Sequence, residues 1–281
     1  MILSIRHQIE YRYDRPVFLG PLTVRLRPRG DAGQALRRFE LAIDPAPVVR
    51  SEVLDATGNT ATVAWFEGLH SKLNLSAQSD VETLMTNPFN YLITEPSAQD
   101  LPMVYPDEER RELQPYILET CPDPTVATFA EDIVRTSGGK ALDFLMTAAD
   151  RIGRTCERAV RPEGEAWTAG ETLRQRRGAC RDLAVLLTAI CRSVGLAARF
   201  VSGYHYGDDR DRHELHAWAE VYLPGAGWRG FDPGQGLATA DEHVALAAAA
   251  EPAGAAAIQG VFRGTGAQSS MRYSIEMGPR A

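Results

Sequence analysis

Over residues 1–90 apolar and polar positions alternate. Leu3, Ile5, His7, Ile9, Tyr11 and Tyr13 are set against Ser4, Arg6, Gln8, Glu10, Arg12 and Asp14, and a period of two marks a strand with one buried face. Leu22, Val24 and Leu26 against Thr23, Arg25 and Arg27 repeat it, as do Phe39, Leu41 and Ile43. Further strands are predicted at 60–66 and 73–81, with turn chemistry at 55–59. Such short strands predict an N-terminal β-sandwich domain over 1–90. His7 reads here as a strand residue.

The alternation stops in a stretch holding Pro88, Pro96, Pro102, Pro106, Pro115, Pro122 and Pro124. Proline removes a backbone donor and interrupts both regular structures, so 91–124 is predicted to be a connector with short helices at most. The period then becomes helical. Val126, Phe129, Ala130, Ile133 and Val134 form a stripe closed by Gly138 and Gly139, and Leu142, Leu145, Ala149 and Ile152 form a second. Thr168 and Glu171 have capping-box spacing before a short helix. Leu183, Leu186, Leu187, Ile190 and Val194 predict a helix over 182–194, stopped by Gly195.

A period of two returns at His216, Trp218, Glu220 and Tyr222, broken by Pro224, Gly225 and Gly227. A returning strand at 228–231 makes a hairpin with a four- or five-residue loop. Farther on, 241–250 reads as an alanine-rich helix capped by 239–242, and 258–262 and 271–277 read as closing strands. The second domain is thus predicted over 125–281, and the fold class is α+β: an N-terminal β-sandwich followed by a core of helices packed on an antiparallel sheet.

Composition narrows the function. The chain has 281 residues, 44% of them hydrophobic, and a net charge of −7, which disfavours nucleic acid as a partner. No apolar segment is long enough for a membrane span, and the N-terminus lacks a signal-peptide pattern. The expectation is a cytoplasmic protein without membrane partners. Cys121, Cys156, Cys180 and Cys191 contain no CxxC pair, and reduced thiols are expected. His205, His213 and His216 are candidate metal ligands, but His213 and His216 fall on opposite faces of one strand and no convergent carboxylate or thiol accompanies them by spacing. Neither a metal nor a cofactor is expected. The run Asp208, Asp209 and Asp211 reads as a solvated loop rather than a calcium site.

The candidate chemistry lies between 176 and 234. Gly178 permits a sharp turn and puts Cys180 in the first turn of the predicted helix, where the helix dipole and exposed N–H groups favour a thiolate and can hold an oxyanion. Asp182 suits the same dipole as a structural residue, and Cys191 reads as a buried free cysteine. His216 and Asp232 lie on neighbouring strands. A thiol nucleophile needs a base, and the base needs an orienting partner; Cys180, His216 and Asp232 supply these in order. A four-residue loop that pairs Leu223 with Trp228 sets Asp232 opposite Ala219, about 10 Å along the strand from His216, so an offset register, a bulge or a different loop is required.

These motifs resemble the transglutaminase-like superfamily. GACRDLA is similar to its nucleophile motif, SVGLAARFVSGY to its helix-to-strand segment, and HAWAEVYLPGAGWRGFDP to its histidine and aspartate motifs. YRYDRPVFLGPLTVRLRPRG and DATGNTATVAWF resemble the N-terminal domain found ahead of bacterial members. The resemblance implies Cys180 as nucleophile, His216 as base and Asp232 as its orienter, in a cysteine peptidase or amidase acting on a protein or peptide amide through a thioester. An amine-accepting transglutaminase and a non-catalytic binding module are the alternatives. Papain-like relatives place an oxyanion-donating glutamine upstream, a role this assigns to Gln175, although its spacing points it to the helix surface. Trp167 is either a packing or a cleft residue. His243 matches a histidine often found in the family. AAAAEPAGAAAIQG replaces the family's GRDYxDV-type segment, which leaves the three catalytic candidates intact.

Overall fold

The computed structural model describes residues 1–118, 123–161, 164–207 and 214–280. Cys121, His213 and the Asp208, Asp209 and Asp211 run lie outside the described residues. The chain opens with β1 (Ile2–Val24), β2 (Gln34–Asp44), β3 (Val49–Leu54), β4 (Thr60–Trp65) and β5 (Leu69–Thr83). Helices α1 (Asp107–Ile117), α2 (Pro124–Thr136) and α3 (Ala141–Thr155) follow, then β6 (Glu157–Arg158), α4 (Ala169–Gln175), β7 (Arg177–Gly178) and α5 (Cys180–Ser193). The remainder is β8 (Ala198–His205), β9 (Leu215–Leu223), β10 (Gly227–Asp232), β11 (Leu237–Ala238), β12 (His243–Ala249), β13 (Ile258–Arg263) and β14 (Ser269–Pro279).

The N-terminal alternation folds as expected, but its sandwich takes the form of one curled antiparallel sheet. β1 runs between β5 and β14 over its first half, from Ile2 opposite Glu82 and Leu3 opposite Pro279. Its register with β5 breaks between Arg12 and Val17, and its end pairs with β4 and β13. A strand that changes partners along its length bends the sheet around its own apolar face. The closing strands therefore belong here. Residues 258–279, placed with the core in the 125–281 domain expected from sequence, join the first sheet instead. Their alternation fits either sheet, and β1 offers an open edge next to the apolar cluster that Ile275 and Met277 help cover.

The second sheet is antiparallel, in the order β11-β10-β9-β8-β12. α5 packs on it through Leu183, Leu186, Leu187 and Ile190, with Ile133 of α2 and Phe144, Leu145 and Ile152 of α3 in the same cluster. Each such buried side chain stabilises the fold by about 2 kcal/mol relative to exposure. α5 thereby becomes a rigid post whose N-terminus points at the candidate site.

The helix expected over 241–250 is the strand β12. Every residue of β12 is buried, with β8 on one edge. On the other edge two side-chain amides act as partners. Gln34 accepts from Ala245 N (2.7 Å) and donates to Ala245 O (2.9 Å); Asn59 accepts from Ala248 N (2.8 Å) and donates to Ala248 O (2.9 Å). Alanine's helix preference amounts to less than about 1 kcal/mol per residue, and a doubly partnered, buried strand outweighs it.

The two sheets share a seam. Tyr204, Tyr206, Val244 and Leu246 of the core lie in one apolar cluster with Leu3, Ile5, Ile9 and Leu75 of the first sheet. His7 Nδ1 meets Tyr204 Oη at 3.0 Å, and Arg29 reaches the Glu220 carboxylate that also holds Arg199.

Candidate active site

Cys180 is the first residue of α5 and is half-buried. The turn before it is made differently from the sequence expectation. Arg176, at φ 50°, is the left-handed residue, while Gly178 is required by crowding: a Cβ there would stand 2.8 Å from Asp182 Cβ and 3.2 Å from Thr172 Cγ2. Asp182 does more than complement a dipole. Fully buried, it accepts from Ala179 N (2.7 Å) and Trp167 N (2.8 Å) and pairs with Arg161. Arg161 in turn lies over the Trp167 ring at 4.1 Å. One carboxylate thus ties the α5 N-terminus to the segment before α4.

The β9–β10 hairpin settles the register. Leu223 pairs with Gly227, so the loop has three residues, with Gly225 and Gly227 at φ 82° and 74°. Phe231 then faces Ala219, and by the same count Asp232 faces Trp218. His216 becomes its diagonal neighbour, about 7–8 Å away along the backbone, a gap the two side chains close. His216 Nε2 donates to Asp232 Oδ2 at 2.6 Å, with both groups buried. Asp232 Oδ1 accepts from Gly234 N (2.8 Å) and Gln235 N (3.2 Å).

A group not assigned a role from sequence completes the carboxylate. His243 Nε2 donates to the same Asp232 Oδ2 at 3.1 Å, and among the described residues the buried His243 Nδ1 has no hydrogen-bond partner. Only the family match singled out His243, because the alanine-rich segment after it reads as helix. Burial works against charge on both partners of the central pair, and the pair overcomes it. Asp232 and the Cys180 bond hold His216 above the ordinary imidazole range; His216 and His243 hold Asp232 far below the carboxylate range. Because a carboxylate only accepts, His216 carries its proton on Nε2. Nδ1 is then the nitrogen left for the Cys180 thiol, which lines the same cleft and helps raise the His216 pKa. The Cys180 Sγ also lies 3.7 Å from Leu215 O.

His216, Asp232 and His243 each offer a ligand atom within 4.8 Å of the other two. A convergent carboxylate is therefore present, contrary to the spacing argument against metal. Two imidazole N–H groups bonded to one carboxylate oxygen account for this cluster as it stands, since a metal would need those nitrogens deprotonated and turned on the ion. His205, the remaining described histidine of the proposed metal set, packs its ring 4.5 Å from that of His243 and 5.4 Å from that of His216.

Cys180 and His216 open into a cleft of about 1390 Å³ between the α5 N-terminus and the inner face of the first sheet. Gln175 does not reach it; it is exposed at the end of α4, so the upstream-glutamine assignment fails. Trp167 packs under Arg161 rather than lining the cleft. Cys191 is buried, with its thiol pushed up to about 12 by burial. Cys180, His216 and Asp232, the three candidates from sequence, lie together; of the metal set, His205 and His216 are neighbours and His213 lies outside the described residues.

This fold is that of a known family. Residues 3–82 match the bacterial transglutaminase-like N-terminal region and 127–233 the transglutaminase-like superfamily, and the chain belongs to the transglutaminase-like superfamily. Among its relatives, an uncharacterized protein of Mycobacterium leprae is 25% identical over 274 residues, covering 94% of each chain. One of Mycobacterium tuberculosis is 25% identical over 289 residues, covering 98% of this chain and 92% of its own. The solved structure of a candidate cysteine protease from Cytophaga hutchinsonii superposes with a TM-score of 0.72 at 20% identity, covering 100% of this chain and 92% of that one.

Proposed function

We propose that the protein is a cysteine-dependent amide hydrolase acting through a thioester. The observation that carries this is the buried Asp232–His216 bond of 2.6 Å, with His216 and Cys180 lining one cleft. The Cys180 thiol has given its proton to His216 Nδ1 in a thiolate–imidazolium pair, which the raised His216 pKa favours, and Sγ attacks the amide carbonyl carbon. Backbone N–H groups at the start of α5 receive the oxyanion. His216 returns the proton to the leaving nitrogen as the C–N bond breaks, which leaves a thioester on Cys180. Water, deprotonated by the same imidazole, then displaces Sγ and releases the acid. Asp232 holds the tautomer this sequence requires.

Hydrolysis is supported by the description of the Cytophaga protein as a candidate protease and needs no acceptor site. Amine acceptance is the second reading, favoured by Glu165, Glu214 and Glu242 on the cleft wall, which suit a cationic acceptor. Iodoacetamide labelling across pH tests the shared first half. The expectation is one rapidly labelled thiol near neutral pH, absent in Cys180→Ala and slowed about 10-fold or more in His216→Ala. A Cys180 labelled no faster than a free thiol and indifferent to His216 overturns the proposal in favour of a binding module.

A further inference from the structure

The apolar face of the first sheet does more than close the seam. On β1, Leu3, Ile5 and Ile9 are buried in the shared cluster, whereas Tyr11, on the same face, is partly exposed. β14 continues the stripe beside it: Ile275 is opposite His7, Tyr273 opposite Ile9 and Met271 opposite Tyr11. The His7 end meets Tyr204 of the core. The other end overhangs the cleft, which Ile9, Tyr11, Met271 and Tyr273 line together with Cys180. Tyr273 is 40% exposed there. Its phenol is raised above its ordinary range by burial first and then by the charges of Glu214 and Cys180, which places it in the electrostatic reach of the nucleophile. Arg158, Arg161 and Glu165 also line the cleft, and Glu214 stands close enough to act on Tyr273.

The β1–β14 bank is thus apolar, in a cleft larger than the roughly 300–1,000 Å³ of small-molecule pockets. An extended polypeptide sends alternate side chains to opposite sides, so every second one can face this bank. We infer that the apolar bank is a specificity subsite: the substrate is an extended polypeptide that seats a large apolar or aromatic side chain against Tyr11, Met271 and Tyr273, beside the amide that Cys180 attacks. This rests on the reading of Cys180 as nucleophile. The last strand of the chain, outside the segment that carries the three central residues, then chooses what is cut.

The test uses peptidyl acyloxymethyl ketones, in which Sγ forms a bond to carbon as a carboxylate leaves. They carry Phe, Leu, Gly or Asp at the residue next to the reactive ketone, and in a second set one residue farther on. Labelling of Cys180 is followed by mass spectrometry, and the Phe-to-Gly rate ratio is taken within each protein. The wild type should show a ratio of about 10 or more at one of the two positions. The ratio should fall towards about 1 when Tyr273→Ala and Met271→Ser are combined, and persist in Tyr273→Phe, whose ring is retained. Both side chains are partly exposed, and an unchanged melting temperature shows that the variant folds. Equal rates for all side chains, or a preference that survives the double substitution, overturn the inference while iodoacetamide labelling still depends on His216. Loss of that His216 dependence instead overturns the nucleophile reading, and this inference with it.

Discussion

At the residue scale, Asp232 concentrates more of the site's electrostatics than any neighbour, because four N–H groups converge on one buried carboxylate. Its pKa is depressed and that of His216 raised, and the signs define a window. Asp232 contributes stability above its unfolded value of about 4, lost as pH falls through its folded value; His216 contributes fully below about 6.5, lost as pH rises through its folded value. The stability difference between wild type and Asp232→Asn should therefore be greatest between about pH 4 and 6.5, read from urea unfolding at several pH values. A difference independent of pH would mean that the pair is not charged in the fold. His243→Phe removes one donor from that carboxylate and should lower the melting temperature by an amount equivalent to about 1–3 kcal/mol, with His243→Gln, which can still donate, recovering part of it. The placement of Cys180 and His216 was legible in sequence because a helix start and a period-two strand are local patterns. The second histidine on Asp232 was not, since its contact depends on β12 being a strand.

At the scale of elements, the short hairpin loop is what brings base and orienter together. One residue fewer than the expected loop moves Asp232 from Ala219 to Trp218, and the diagonal contact becomes available. Sequence showed the conflict but could not choose among its resolutions, because loop length and strand ends shift together. α5 was legible from its apolar spacing and from Gly195. β12 was misread for a physical reason: alanine is a good helix former, and the groups that hold this segment extended are Gln34 and Asn59, some 190 to 210 positions away. Those two amides cover an edge that would otherwise offer unpaired backbone groups. Gln34→Ala should destabilise the protein by about 1–3 kcal/mol and increase self-association, measured by denaturant titration and light scattering; a variant as stable and as monodisperse as wild type would show the cap to be dispensable.

For the whole molecule, the seam between the sheets carries a pH liability. His7 is buried against Tyr204, and burial lowers its pKa to about 4. The unfolded chain binds a proton there below about 6.5 and the folded chain does not until about 4. Stability should therefore fall as pH drops across that interval, by roughly 3 kcal/mol at most from this group. His7→Gln should flatten that part of the stability profile, as measured by thermal melts from pH 4 to 7; an unchanged slope would assign the acid sensitivity elsewhere. Both layers of the molecule were legible from periodicity alone. Which sheet the last two strands join was not, since alternation says that a strand has a buried face without saying whose.

The pairing of β1 with β14 also sets an order of events during synthesis. β1 leaves the ribosome long before β14, yet they lie side by side from Leu3 opposite Pro279 to Tyr13 opposite Ser269. Until residue 279 has been added, one edge of β1 stays open, and Met271 and Tyr273 are missing from the cleft or have not docked there. A nascent chain can have α5 and the β9–β10 hairpin in place while the wall facing Cys180 is still unfinished. Cys180 and its immediate surroundings therefore precede, in the order of synthesis, the surface that completes the cleft around them.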